Sequence, residues 1–109
     1  MTCTPDEYLE ERTNEFMTEK DIEQALTRKV KAMGGMCIKL TSIGTDGLPD
    51  RLVLLFGGHV AFVELKDKGK KPRPLQYAVM NKLKRLGFKC FVVDDKAQIE
   101  EVLDEVQTS

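Results

Sequence analysis

Histidine, cysteine and aromatic residues are scarce in this chain, and each scarcity removes a class of function. There is one histidine, His59, so a Ser-His-Asp triad or a multi-histidine zinc site has almost nothing to build on. The three cysteines, Cys3, Cys37 and Cys90, are odd in number and widely spaced. That argues against a disulfide framework and against a Cys-x-x-Cys zinc site. Cys37 and Cys90 sit inside apolar segments and read as buried, inert thiols. Aromatic residues make up 6% of the chain, so the phenylalanines and methionines read as core and not as a platform for stacking bases. The longest apolar run, Leu52 to Phe56, is far too short to cross a bilayer. Met1 to Glu10 lacks the basic start and apolar stretch of a signal peptide, and the expected location is the cytoplasm.

What is present is enough for one domain. With 109 residues, 41% hydrophobic and 32% charged, the chain can bury a single core and should fold. Its net charge of −1 hides an asymmetry. Residues 1–23 carry 8 acids and 2 bases, residues 94–109 carry 6 acids and 1 base, and residues 24–89 carry 14 bases and 4 acids. A basic middle suits a polyanion, because neutralising phosphates releases counterions. Solvated lysines on helix faces are the plain alternative, and composition does not separate the two. The four acids inside the basic stretch, Asp46, Asp50, Glu64 and Asp67, call for a reason.

Thr4-Pro5-Asp6-Glu7 has the form of a helix start, predicting a short helix to about Met17. Thr18 with Asp21 is a second capping signal, followed by Ile22, Leu26, Val30 and Met33 at helical spacing and a stop at Gly34-Gly35. Met36, Ile38 and Leu40 alternate as the buried face of a strand, and Thr41 to Pro49 is a loop. Asp50 to Phe56 and Val60 to Lys66 are strands around a Gly57-Gly58-His59 hairpin, the first apolar enough to be covered on both faces. After a lysine-rich loop, Asp67 to Pro72, a helix runs from Arg73 to Leu86 with Leu75, Val79, Leu83 and Leu86 towards the core and Gly87 as cap. Phe88 to Val93 is a strand, and Asp94 or Asp95 caps a last helix striped by Ile99, Val102, Leu103 and Val106. The order α-α-β-β-β-α-β-α implies an α/β domain, a central mixed β-sheet flanked by helices, with a parallel pair closed by the β-α-β crossover.

Glu64 and Lys66 stand two apart on a strand and share a face. A three-residue hairpin loop over residues 57–59 pairs Phe56 with Val60, which sets Asp50 opposite Lys66 and diagonal to Glu64; a strict two-residue loop would send Asp50 to the wrong face. Two carboxylates and an ammonium on one face suit phosphodiester hydrolysis. The carboxylates would hold Mg²⁺, a hard cation that keeps several waters, and the lysine would orient water or offset charge in the transition state. The plain alternative is a surface Glu–Lys pair worth under about 1 kcal/mol.

A resemblance separates them. Gly47-Leu48-Pro49-Asp50, an apolar strand and then Phe62-Val63-Glu64-Leu65-Lys66 resemble the PD-(D/E)xK nuclease signature. From Glu19 to Val93 the chain is similar to the virus-type replication-repair nuclease domain (VRR-NUC), with its leading helix acid, Gly-x-Pro-Asp, Glu-x-Lys and a glutamine in Pro74-Leu75-Gln76. Archaeal Holliday-junction resolvases share the layout more distantly. The resemblance implies a restriction-endonuclease-like core, with residues 1–109 one nuclease domain and 1–17 a helical extension. It also implies Mg²⁺ as cofactor, with Mn²⁺ able to substitute. By that likeness Asp50 and Glu64 are metal ligands with the Leu65 carbonyl as a third, Lys66 is the catalytic lysine, and Gln76 sits beside it to position water or phosphate. The helix acid is Glu23 or Glu19, which lie four apart on one helical face; Glu23 is preferred for its spacing of 11 residues before Gly34. Lys68, Lys70, Lys71 and Arg73 follow the catalytic strand and are placed to grip phosphates, with Lys82, Lys84 and Arg85 extending the track. His59 reads as a turn residue.

Stand-alone domains of this size resemble phage and bacterial forms. That likeness implies a homodimer acting on branched DNA, Holliday junctions above all, inside a bacterial or phage-infected cell. The first helix, Tyr8-Leu9 to Phe16-Met17, and the last helix are the surfaces available for dimerisation. Two other readings remain open: a DNA-binding module without catalysis, and a linear-duplex endonuclease of restriction type.

Overall fold

The computed structural model describes residues 17–41 and 44–108. Its elements are α1 (Glu19–Ala32), β1 (Met36–Lys39), β2 (Arg51–Leu55), β3 (His59–Leu65), α2 (Pro74–Arg85), β4 (Lys89–Val93), a 3-10 turn (Lys96–Gln98) and α3 (Ile99–Gln107). The helix expected before Thr18 lies outside the described residues, apart from Met17, which is non-helical and buried.

The four strands form one sheet in the order β1-β2-β3-β4. β1 and β2, and β2 and β3, pair antiparallel; β3 and β4 pair parallel. The sheet is mixed, as the crossover from β3 through α2 to β4 requires. One face carries the main core. Val53 and Leu55 of β2, Ala61, Val63 and Leu65 of β3, and Val93 of β4 pack with Ile22, Leu26 and Val30 of α1 and Ile99, Val102, Leu103 and Val106 of α3. Burying each Val, Leu or Ile of this set stabilises the fold by about 1.5–3 kcal/mol. The predicted stripes of α1 and α3 are therefore the buried ones. Because α3 spends its apolar face on its own core, that face is not available to a second subunit.

Several expectations are corrected in detail. The hairpin turn is Phe56-Gly57-Gly58, with Leu55 paired to His59. Both glycines take positive φ, 86° and 76°, a backbone state that costs a side-chain-bearing residue and costs glycine little; His59 joins the strand. The register moves by two residues and keeps its parity. Continued by one step, it sets Asp50 opposite Glu64 instead of Lys66. In β1, Cys37 and not Met36 turns towards the core, because it pairs with the buried Val53. Cys37 is half-buried and Cys90 buried. β2 is fully covered on one face only: Arg51, Val53 and Leu55 are buried, while Leu52 and Leu54 are half-buried. α2 is turned about its axis from the predicted stripe. Gln76 and Met80 are its buried residues, whereas Leu75 is 45% exposed and Leu86 63% exposed. A polar contact made by Gln76, described below, sets that rotation.

The N-terminus of α1 is closed by a capping box. The Asp21 N–H donates to Thr18 Oγ1 at 3.2 Å and the Thr18 N–H donates to Asp21 Oδ2 at 3.0 Å. The Thr18 N–H and the Thr18 hydroxyl, both donating to Oδ2, hold the Asp21 carboxyl below its ordinary value of 3.8, so its contribution to stability is present above that value and fades as pH falls through the lower folded one. Thr18→Ala is expected to cost about 1 kcal/mol. Asp21→Asn should flatten the acid end of the stability curve. Urea unfolding of both variants from pH 2 to 7 measures each effect.

Candidate active site

The site lies where β2 begins and β3 ends. Asp50 is fixed twice at the mouth of β2: its carbonyl accepts from the Leu40 N–H at 2.8 Å, and its Oδ2 accepts from the Leu65 N–H at 3.0 Å. The segment before it is pressed against α2. Gly47 has φ +84°, and a Cβ there would meet the Leu75 carbonyl oxygen at 3.1 Å and Val79 Cγ2 at 3.1 Å. Glycine at this position lets Leu48-Pro49-Asp50 run close beneath the helix.

Glu64 is the centre of the arrangement. Its side chain is 1% exposed and ion-paired to Lys66, Nζ to Oε2 at 3.0 Å. The same oxygen accepts from Gln76 Nε2 at 2.7 Å. Gln76 is held in turn by the Arg73 N–H, which donates to Gln76 Oε1 at 2.9 Å. That pair of bonds fixes the amide orientation and explains the rotation of α2. The other carboxylate oxygen, Glu64 Oε1, is buried without any hydrogen-bond partner among the described residues. Burial pushes the Glu64 carboxyl above its ordinary value, with the bond from Lys66 opposing and the charge of Asp50 adding to the rise. A buried carboxylate with one oxygen doubly bound and the other unpaired is costly unless something positive sits on the free oxygen.

The two helix acids separate in space. Glu23 Oε2 is ion-paired to Arg51 Nη2 at 2.8 Å, on the core side of β2. Glu19 is the one that reaches the site. Its carboxyl is raised, first by partial burial and then by the charge of Asp50, while Lys66 opposes the rise. Its backbone N–H donates to Asp67 Oδ1 at 2.7 Å, which ties the first turn of α1 to the residue after Lys66. Of the pair, it is Glu19 and not the preferred Glu23 that stands near Asp50 and Lys66: the spacing from Gly34 locates the helical turn but not which acid Arg51 takes.

The basic loop divides as well. The Lys68 ammonium is ion-paired to Asp95, and the Gly69 N–H donates to Asp94 Oδ2 at 3.2 Å. Lys68 therefore braces the loop against the turn after β4, while Lys70, Lys71 and Arg73 are exposed and make no ion pair among the described residues. Sequence reasoning missed Arg51 and Asp95. Of Asp94 and Asp95, the two cap candidates, Asp95 caps the 3-10 turn that leads into α3, its Oδ1 accepting from the Ala97 N–H at 2.9 Å.

No group of three or more His, Cys, Asp or Glu side chains stands ready-made for a metal ion among the described residues. The donor chemistry nevertheless fits a magnesium-like cation, which takes one or two carboxylates and keeps its waters. Asp50 and Glu64 are hard oxygen donors facing each other, and Glu64 Oε1 is a buried acceptor with no donor among the described residues.

A mixed sheet flanked by helices, with Asp50 opposite Glu64 and Lys66 beside it, defines the chain as a PD-(D/E)xK nuclease domain. The comparisons give the family. No family model matches the chain. It is 41% identical over 81 residues to "Putative nuclease p44" of Acyrthosiphon pisum secondary endosymbiont phage 1, covering 74% of this chain and 87% of that protein. It superposes with a TM-score of 0.73 on a solved structure described as a VRR_NUC domain, at 32% identity, covering 79% of this chain and 94% of that one. The chain belongs to the VRR-NUC family. No helix among the described residues is long and apolar enough to cross a membrane.

Were Glu64 to hold a cation, protons would compete for it, and Mn²⁺ affinity would be expected to fall on acidification with a midpoint above 4.5, the ordinary glutamic value. Gln76→Leu removes a bond that favours the ionised form and should move that midpoint further up. Mn²⁺ titration followed by electron paramagnetic resonance across pH reads both.

Proposed function

We propose that the protein is a divalent-cation-dependent DNA endonuclease that hydrolyses phosphodiester bonds in branched DNA, Holliday junctions above all. The observation that carries the reading is the Glu64 carboxylate, gripped on one oxygen by Lys66 and Gln76 and, among the described residues, bare on the other, facing Asp50. Asp50, Glu64 and the Leu65 carbonyl would hold Mg²⁺, with Glu19 beside them and Mn²⁺ able to replace it. Such an ion polarises a phosphate oxygen and lowers the pKa of water bound to it.

The chain's own residues do the rest. Lys66, with its side chain 19% exposed, is open enough to meet a phosphate and offsets negative charge as the water oxygen bonds to phosphorus and the bond to the leaving sugar oxygen breaks. Gln76 keeps Glu64 ionised and aimed, and its amide is locked by Arg73, so the pair needs no rearrangement when substrate arrives. Lys70, Lys71 and Arg73 line the approach and bind flanking phosphates; such contacts position the duplex without reading its sequence.

A homodimer is part of the proposal, since two-fold symmetry would offer two sites to two opposed strands of a junction. The apolar residues Met36, Phe56, Leu86 and Phe88 are exposed at the hairpin end of the sheet, away from Glu64, and supply a surface for it.

The test is cleavage of labelled four-way junction, flap and linear duplex DNA with Mg²⁺ or Mn²⁺. Junction cutting that needs the cation and drops at least about 100-fold in Lys66→Ala is the expected result. Equal cutting of linear duplex would favour the restriction-type reading, and binding without cutting a DNA-binding module. In a second measurement, Mn²⁺ at about 100 times its dissociation constant should stabilise the fold by about 2.7 kcal/mol, an effect absent in Asp50→Asn.

A further inference from the structure

Arg51 occupies a position where the fold would otherwise place an apolar side chain. It heads the core-facing row of β2, ahead of Val53 and Leu55, and is only 9% exposed. Among the described residues its Nε is buried without a partner, and its ion pair is to Glu23 at 2.8 Å. Taking a guanidinium out of water costs several kcal/mol, and a buried ion pair seldom returns more stability than well-packed hydrophobic residues would. Stability is therefore a poor reason for Arg51. Location supplies a better one.

Arg51 follows Asp50 directly, so the two side chains leave the strand on opposite faces. Glu23 lies one helical turn after Glu19, about 6 Å along α1. The ion pair thus couples the residue next to one carboxylate of the site to the helical turn next to another. A second tie comes from the loop just past β3, where Asp67, the residue after Lys66, accepts the N–H of Glu19 at 2.7 Å. Two directional ties, one from the start of β2 and one from the loop just past β3, bear on both the slide and the rotation of α1 over the sheet. Apolar packing of Ile22, Leu26 and Val30 fixes which face of α1 is buried, yet hydrophobic contact is non-directional and tolerates small shifts along the axis. Directional bonds do not.

We propose that Glu23 and Arg51 are positioning residues: their ion pair locks α1 so that Glu19 is presented to Asp50, and Glu23 is not itself a ligand. The proposal rests on the reading of Asp50, Glu64 and Glu19 as a divalent-cation site. It accounts for both acids at once, with one serving the site and the other holding it in register. Outer-shell partners of this kind change cation affinity or activity by about 10–100-fold when removed.

The experiment compares Mn²⁺ affinity by electron paramagnetic resonance, junction cleavage, and thermal unfolding in the full chain. The variants are Glu23→Ala, Glu23→Gln, Arg51→Met and Glu19→Ala. The expected result is a loss of about tenfold or more in Mn²⁺ affinity and in kcat for Glu23→Ala and Arg51→Met, with KM for DNA little changed. Glu23→Gln, which still accepts a hydrogen bond from Arg51, recovers most of both. Arg51→Met should unfold at or above the wild-type temperature, which separates lost positioning from lost folding. If it fails to fold, Glu23→Ala, altering a half-exposed side chain, carries the same comparison. Glu23→Gln as damaging as Glu23→Ala overturns the proposal by making Glu23 a ligand. Unchanged affinity and kcat in both Glu23→Ala and Arg51→Met overturns it by making the pair merely structural. Unchanged Mn²⁺ affinity in Glu19→Ala, with losses at Glu23 and Arg51, refutes the role of Glu19 while leaving the cation site itself standing.

Discussion

A carboxylate buried beneath a helix and satisfied, among the described residues, on only one of its two oxygens governs the rest of this molecule. Lys66 and Gln76 share one oxygen of Glu64, and both bonds favour its ionised form against the cost of burial. Holding Gln76 in place requires the Arg73 N–H, and that requires α2 to start at Pro74 with its glutamine turned inward. The rotation of α2 leaves Leu75 partly exposed against the Gly47 loop, and that loop delivers Asp50. A chain of polar contacts, each short and directional, thus runs from one strand through a helix and a loop back to the neighbouring strand.

The two faces of the sheet divide the labour. One is apolar and closed by α1 and α3, and supplies the stability that a costly polar site consumes. The other carries Glu64 beneath α2. Strand alternation links them residue by residue, since Asp50 and Arg51, or Glu64 and Leu65, point to opposite sides. A one-residue slip would bury Asp50 in the core and expose Val53, so hydrophobic burial guards the register of the site. This is why an odd hairpin loop matters more here than its length would suggest.

The basic loop after Lys66 is built on similar terms. Asp94 and Asp95 take up Lys68 and the Gly69 N–H, which anchors the loop and leaves Lys70, Lys71 and Arg73 outward. The acids of the C-terminal segment, set against a basic middle in the sequence, are therefore partly structural partners of that middle. Net charge by segment describes the field around a protein; it does not say which charges are already spent on one another.

Much of the fold was legible in the sequence because its signals are local. The Thr18–Asp21 box, the stripes of α1 and α3, the glycine pair of the hairpin and the β-α-β crossover all depend on residues within a few positions of each other. Asp50, Glu64 and Lys66 were legible as a group because strand periodicity puts them on one face, given an even register. Tertiary structure alone decided the remainder. A difference of two residues in the turn exchanged the partner of Asp50, since Phe56-Gly57-Gly58 and Gly57-Gly58-His59 are equally three residues long. The apolar stripe of α2 misled, because one buried hydrogen bond to Glu64 outweighed the packing of Leu75 and Leu86. The choice between Glu19 and Glu23 turned on where an arginine from another strand would arrive. One-dimensional spacing gives the face a side chain occupies; which charged partner meets it there is a property of the packed whole.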